Sequence, residues 1–139
     1  MTKHLRVKVL GLLMPIVFGL SFFASGQTIT SVQDGPWNDP NTWDSNPTIP
    51  NSGNSTSILI QHNVNVPNGF SVSIDQTFVD NGGTLTIESG GTVTVDNDTG
   101  TDLDFYNDGF DYGFLSVTGT LILNNSATIT GTDAGNANF

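Results

Sequence analysis

Between Gly82 and Asp96 the chain repeats itself. Gly82-Gly83-Thr84-Leu85-Thr86-Ile87-Glu88-Ser89 is followed by Gly90-Gly91-Thr92-Val93-Thr94-Val95-Asp96, so Leu85 and Val93 stand eight residues apart, as do Ile87 and Val95. In each half, apolar side chains alternate with threonine hydroxyls, which is the period of a β-strand, and the β-branched residues suit a pleated surface. Each glycine pair allows a sharp turn with no Cβ to clash. The phrase returns as Gly119-Thr120-Leu121-Ile122-Leu123 and, eight residues on, as Ala127-Thr128-Ile129-Thr130-Gly131. Short strands with turn residues at fixed offsets exclude a helical protein and leave two all-β architectures. One is a parallel β-helix (β-solenoid), whose stacked coils align like residues in columns; the alternative is an antiparallel β-sandwich. A recurring phrase favours the solenoid. There, Leu85, Ile87, Val93, Val95, Leu121 and Leu123 point inward, and Thr84, Thr86, Thr92 and Thr94 outward.

The first segment stands apart from this pattern. Lys3, His4, Arg6 and Lys8 make a basic start, Val9–Ala24 is an apolar run interrupted by Pro15, and Ala24-Ser25-Gly26 supplies small residues. That order reads as a secretory signal peptide over residues 1–26, with Gln27 the first mature residue. The run is short for a membrane span and carries a helix-breaking proline. All three Lys and Arg lie within it, whereas all thirteen Asp and Glu lie beyond it. A surface with no fixed positive charge cannot neutralise phosphates, which excludes nucleic acid as a direct partner. Anionic lipid and uronate-rich polysaccharide are disfavoured for the same reason, and no membrane contact is expected after signal cleavage. The excess of carboxylates keeps an exported protein dispersed. With no Cys in the chain, the expected extracellular or cell-surface domain must rest on hydrogen-bonded ladders rather than disulfides.

Residues 27–56 form a Trp- and Pro-rich segment. Pro36 and Pro40 forbid a central strand there, and the surrounding Asp, Asn and Gly favour turns. Trp37 and Trp43 are expected to cap the open first coil, since a terminal repeat must cover an apolar cross-section. Strand pattern resumes at Ser57 and continues through the repeats, so residues 57–139 read as solenoid coils. The polar tail Asp133–Phe139 supplies little cover for the last edge, and the chain reads as an incomplete solenoid at its C-terminal side.

Trp37-Asn38-Asp39-Pro40-Asn41-Thr42-Trp43, Pro50, Ile58-Leu59-Ile60-Gln61-His62-Asn63-Val64-Asn65-Val66 and the Gly-Gly-Thr-Leu-Thr-Ile phrases together resemble the opening of eight-glycine-type domains. Similar openings occur in large secreted or adhesin-like surface proteins of gram-negative bacteria that use type nine secretion. The resemblance covers nearly all of the chain beyond residue 26. It implies a right-handed parallel β-helix and an extracellular module that is structural or carbohydrate-interacting rather than catalytic.

Two stretches carry candidate chemistry. Asp96, Asp98, Asp102 and Asp104 alternate along a Gly-containing loop and are the candidate metal ligands, for calcium, which takes several carboxylate oxygens. Gly100 stands where the twelve-residue calcium loop needs a ligand, so that motif itself is not matched. In Leu103–Phe114, aromatic rings alternate with carboxylates and Asn107. Tyr106, Asp108, Asp111 and Tyr112 are the candidate glycan-binding set, rings stacking on sugar faces and carboxylates bonding to hydroxyls; Phe105, Phe110 and Phe114 are expected in the core. His62 is the only His beyond the signal segment and has no Cys or second His to complete a zinc site. No nucleophile motif accompanies it. The expected function is a non-catalytic surface module whose partners are neutral glycans or other surface proteins. The N-terminal part of a polysaccharide-degrading β-helix enzyme and a calcium-dependent glycan-binding module are the alternatives. Carboxylate pairs can hydrolyse glycosides, but no spacing here singles out a pair.

Overall fold

The computed structural model describes residues 26–98, 100–106 and 112–131. Residues 1–25 of the signal segment, Asn107, Asp108, Phe110, Asp111 and the tail beyond Gly131 therefore lie outside the described residues. Strands account for a little under half of the described residues: β1 (Gln27–Thr30), β2 (Gly35–Pro36), β3 (Ser55–Ile60), β4 (Asn63–Val66), β5 (Ser71–Ile74), β6 (Thr77–Val79), β7 (Thr84–Ile87), β8 (Thr92–Val95), β9 (Leu103–Phe105), β10 (Phe114–Val117), β11 (Thr120–Leu123) and β12 (Ile129–Gly131). They make three sheets, in the orders β1-β3-β6-β9-β12, β2-β4-β7-β10 and β5-β8-β11. From β3 onward the chain visits the first, second and third sheets in unchanging rotation. Every pairing between these strands is parallel, so the antiparallel sandwich does not describe them.

Register puts like above like. Val64, Leu85 and Leu115 align across the second sheet, with Val66, Ile87 and Val117 beside them. Val72, Val93 and Leu121 align across the third sheet, with Ile74, Val95 and Leu123 beside them. In the first sheet Ile29, Ile58, Thr77, Leu103 and Ile129 form one column. Leu85, Ile87, Val93 and Val95 are fully buried and belong to one continuous core, while Thr84, Thr86, Thr92 and Thr94 on the opposite faces keep partial exposure. Thr77 is a polar member of an inward column. It is wholly buried and donates its hydroxyl to the Asp75 carbonyl 3.2 Å away, which offsets the cost of burying it.

Each glycine pair has a divided task. Gly82 and Gly90 adopt φ of 76° and 84° at the third position of four-residue turns closed by Gly83 N–H to Asp80 C=O (2.9 Å) and Gly91 N–H to Glu88 C=O (2.8 Å). A side chain is strained at such φ. Gly83 and Gly91 lie against the strand of the preceding round: a Cβ on Gly83 would run into the Ile60 carbonyl, and one on Gly91 into that of Val66. The first glycine makes the turn and the second lets the next strand dock.

Two expectations need correction, and two leucines keep the expected inward register with less cover than the repeat suggests. Leu123 shares the inward column of Val95 yet is 48% exposed, and Leu121 is only half-buried. Both lie on β11, the last described strand of its sheet, with no described strand laid over them. Phe114, expected in the core, is 55% exposed. It aligns with Thr84, and parity of register sends it to the outer face while Leu115 takes the inner one. The last strand begins at Ile129, because Asn124–Ala127 is a turn closed by Ala127 N–H to Asn124 C=O (2.8 Å).

Candidate functional site

The Trp-rich segment is built into the core. Trp37 and Trp43 are 0% and 1% exposed, with ring centroids 4.9 Å apart in an edge-to-face pair. Their indole N–H groups are both satisfied by carbonyls at 2.9 Å, Trp37 donating to Pro50 and Trp43 to Trp37. Rings this enclosed are unavailable to sugars. The segment folds back along strand edges: Val32 N–H bonds to Thr42 C=O (2.8 Å), Asp44 N–H to Thr30 C=O (3.0 Å) and Ser52 N–H to Ser73 C=O (2.8 Å). Pro36 occupies the outermost position of its sheet, where a missing N–H costs no ladder bond.

His62 touches Ser31, but not as a catalytic pair. Its Nδ1 lies 2.9 Å from the Ser31 carbonyl oxygen and 3.2 Å from Ser31 Oγ. The carbonyl can only accept, so Nδ1 carries the proton. Ser31 Oγ accepts from Gln61 N–H at 2.9 Å and is almost wholly buried. A hydroxyl so placed ties β1 to the loop after β3 and is closed to substrate. Nearby, Asp34 accepts from Asn63 N–H (2.8 Å) and from Asn63 Nδ2 (3.1 Å). Those two bonds, with a smaller contribution from His62, hold its carboxyl below the ordinary range.

Three of the four alternate carboxylates are engaged, each with different neighbours. Asp96 accepts from Ser52 Oγ (2.9 Å) and Asn124 Nδ2 (3.0 Å), stitching three rounds together. Asp102 is 2% exposed; its Oδ2 accepts from Thr128 N–H (2.6 Å) and Thr128 Oγ1 (3.0 Å), while its buried Oδ1 has no partner. Asp104 accepts from Phe105 N–H (3.0 Å) and Thr130 Oγ1 (2.8 Å). Asp98 is exposed. Among the described residues no three His, Asp or Glu side chains gather closely enough to hold a metal ion. Charge still reaches across the corner. Burial raises the pKa of Asp75, the Gln76 N–H opposes that, and the like charges of Asp102, Asp98 and Asp96 add to it.

Of the glycan set, the structure describes the two tyrosines. Tyr106 and Tyr112 are 42% and 41% exposed. Gly113 N–H donates to Tyr106 C=O (2.9 Å) and Gly82 N–H to Tyr112 C=O (3.2 Å), so their backbones meet where the chain passes from the first sheet to the second. The ring of Tyr112 stands edge-on to Phe114, with centroids 6.4 Å apart. Phe114 is a third exposed ring beside them, one that sequence reasoning placed in the core. The signal was available, since Gly113-Phe114-Leu115-Ser116-Val117 follows the same pattern as Gly83-Thr84-Leu85-Thr86-Ile87, in which Leu85 and Ile87 are the inward residues.

The chain matches no known protein family, no curated protein and no solved structure.

Proposed function

We propose that the chain is a non-catalytic, secreted parallel β-helix module, right-handed like the domains its opening resembles, serving a surface or adhesin-like protein in a structural or carbohydrate-interacting role. The observation that carries this is the unchanging rotation through three parallel sheets with apolar columns in register. Stacked coils produce that pattern, and each added coil extends the core without changing its cross-section. Trp37 and Trp43 then act as the N-terminal cap, with the Pro-rich segment closing the edges of the first round. Among the described residues no helix is long and apolar enough to cross a membrane, which leaves open any passage made by strands.

The test removes one complete round. Leu103 aligns with Thr77, so deleting residues 77–102 joins Gln76 to Leu103 and offers β9, β10 and β11 to the edges of β3, β4 and β5. A solenoid tolerates this and still unfolds cooperatively, with a β-rich circular dichroism spectrum. Collapse to a disordered spectrum would remove the stacking argument. The surface assignment is checked separately: the full chain expressed in a secreting gram-negative host should start at Gln27 and be cleaved by protease added to whole cells.

A further inference from the structure

Among the described residues, carboxylates are missing from the outward strand positions of two sheets. The outward positions of the second sheet are Asn63 and Asn65 on β4, Thr84 and Thr86 on β7, and Phe114 and Ser116 on β10, by the register that turns Val64, Leu85 and Leu115 inward. Those of the third sheet are Ser71, Ser73, Thr92, Thr94, Thr120 and Ile122. None of these strand positions is charged, although ten carboxylates lie among the described residues. The two faces differ in one respect: rings stand at the second. Phe114 lies on it, half-exposed, with Tyr112 beside it.

We propose that the outer face of the second sheet is a docking surface for a neutral polysaccharide, with Phe114 and Tyr112 as the ring platform and Asn63, Asn65, Thr84 and Thr86 as its hydrogen-bonding field. This deepens the carbohydrate-interacting arm of the proposed function and rests on it. The chemistry follows from the arrangement. A sugar ring has an apolar face that packs on an aromatic ring and a rim of hydroxyls that both donate and accept. Phe114 offers a face, and Tyr112 a face with a polar tip. Threonine hydroxyls donate and accept, and asparagine amides do both. The pairing of β4, β7 and β10 continues without a register shift, so the side chains form a regular array about 4.8 Å apart across strands.

The amides are fixed in advance. Asn63 Nδ2 donates to Asp34 (3.1 Å) and Asn65 Nδ2 to Glu88 Oε1 (2.8 Å), each leaving the amide oxygen and a second N–H unused by that bond. Side chains already held lose less freedom when a ligand arrives. The same carboxylates decide the ligand's charge. Asp34 and Glu88 border the face, and no Lys or Arg lies beyond residue 8 to offset them, so an anionic chain is repelled and a neutral one is not.

The experiment is depletion of the purified full chain from solution onto three insoluble neutral polysaccharides (microcrystalline cellulose, curdlan and mannan), with calcium-free alginate beads as the anionic comparison. Expected is retention on at least one neutral polymer and none on alginate. Phe114→Ala should weaken that retention about tenfold or more, the effect of losing an aromatic anchor, and Tyr112→Ala and Thr86→Glu should each weaken it measurably. Thr94→Glu, on the third sheet, should leave it unchanged. Melting temperatures of all four variants check that the fold persists, and Phe114, being exposed, can be removed without opening the core. No retention on any neutral polymer, equal retention on alginate, or equal loss from Thr94→Glu would overturn the assignment. Such a failure leaves the module reading standing if the round-deletion variant folds and the chain reaches the cell surface; failure of those two tests strikes the module reading itself.

Discussion

Val93 and Thr94 are neighbours in sequence with opposite surroundings. Val93 is fully buried in the column between Val72 and Leu121, and Thr94 faces outward. Val93→Asp should cost several kcal/mol, the loss of a buried side chain plus a buried charge. Thr94→Asp should cost less than about 1 kcal/mol. Urea melts giving equal losses would contradict the register. Position within a column matters as much as parity. Leu123→Asp should cost far less than Val95→Asp, because Leu123 is half-exposed and Val95 is not. At the polar corners, Asp34 and Asp75 titrate in opposite senses. The lowered pKa of Asp34 contributes stability that is present above its unfolded value, 3.8, and lost as pH falls through the still lower folded value. Asp75, raised, favours the folded state while protonated. Its contribution is complete below 3.8 and is lost as pH rises through the folded pKa. Asp75→Asn should therefore flatten the decline in stability on leaving the acid range and raise the urea midpoint at neutral pH. An unchanged pH profile would show that Asp75 is solvated like any surface carboxylate.

Turns and strands meet in the glycine pairs, and the two glycines of a pair should fail differently. A Cβ on Gly82 meets nothing within 4 Å, so Gly82→Ala bears only the left-handed backbone cost, about 1–2 kcal/mol. Gly83→Ala drives a methyl into the Ile60 carbonyl and must push two rounds apart, which adds an overpacking cost of about 1–3 kcal/mol and the loss of nearby ladder bonds. Thermal melts of the two variants should rank Gly83→Ala as the worse. The reverse order would mean that the turn, rather than the close docking of successive rounds, limits the fold. Asn125 and Ser126 carry positive φ of 50° and 68° without being glycine. Ser126→Gly should relieve strain there by up to about 1 kcal/mol.

At the scale of the whole molecule, repulsion among carboxylates sets the background. Beyond residue 26 there is no positive side chain other than His62 to balance thirteen acids. Salt screens such repulsion, so added sodium chloride should raise the melting temperature. The Asp96–Asp104 loop makes a sharper point about divalent ions. Because Asp96, Asp102 and Asp104 are bound to different neighbours, calcium and magnesium at equal ionic strength should raise the melting temperature equally. A calcium-specific rise abolished by Asp98→Asn with Asp102→Asn would show that the ion itself gathers those carboxylates. The unpartnered Oδ1 of Asp102 makes the double substitution informative in either case.

The docking role of the second glycine in each pair came from the structure, but sequence alone determined the strands of the repeats, their inward and outward faces and the turn made at each glycine pair. These follow from period-two alternation and from local backbone sterics, which need no knowledge of distant residues. What the tertiary structure decided depends on contacts between rounds. The Ser52–Asp96–Asn124 stitch, the His62–Ser31 contact and the bonds of Thr128 to Asp102 and of Thr130 to Asp104 join residues 26 to 44 positions apart, and sequence spacing carries no information on which hydroxyl reaches which acid. The same holds for exposure along a column. Val95 and Leu123 have similar chemistry and share a column, and among the described residues only Val95 has another strand laid over it.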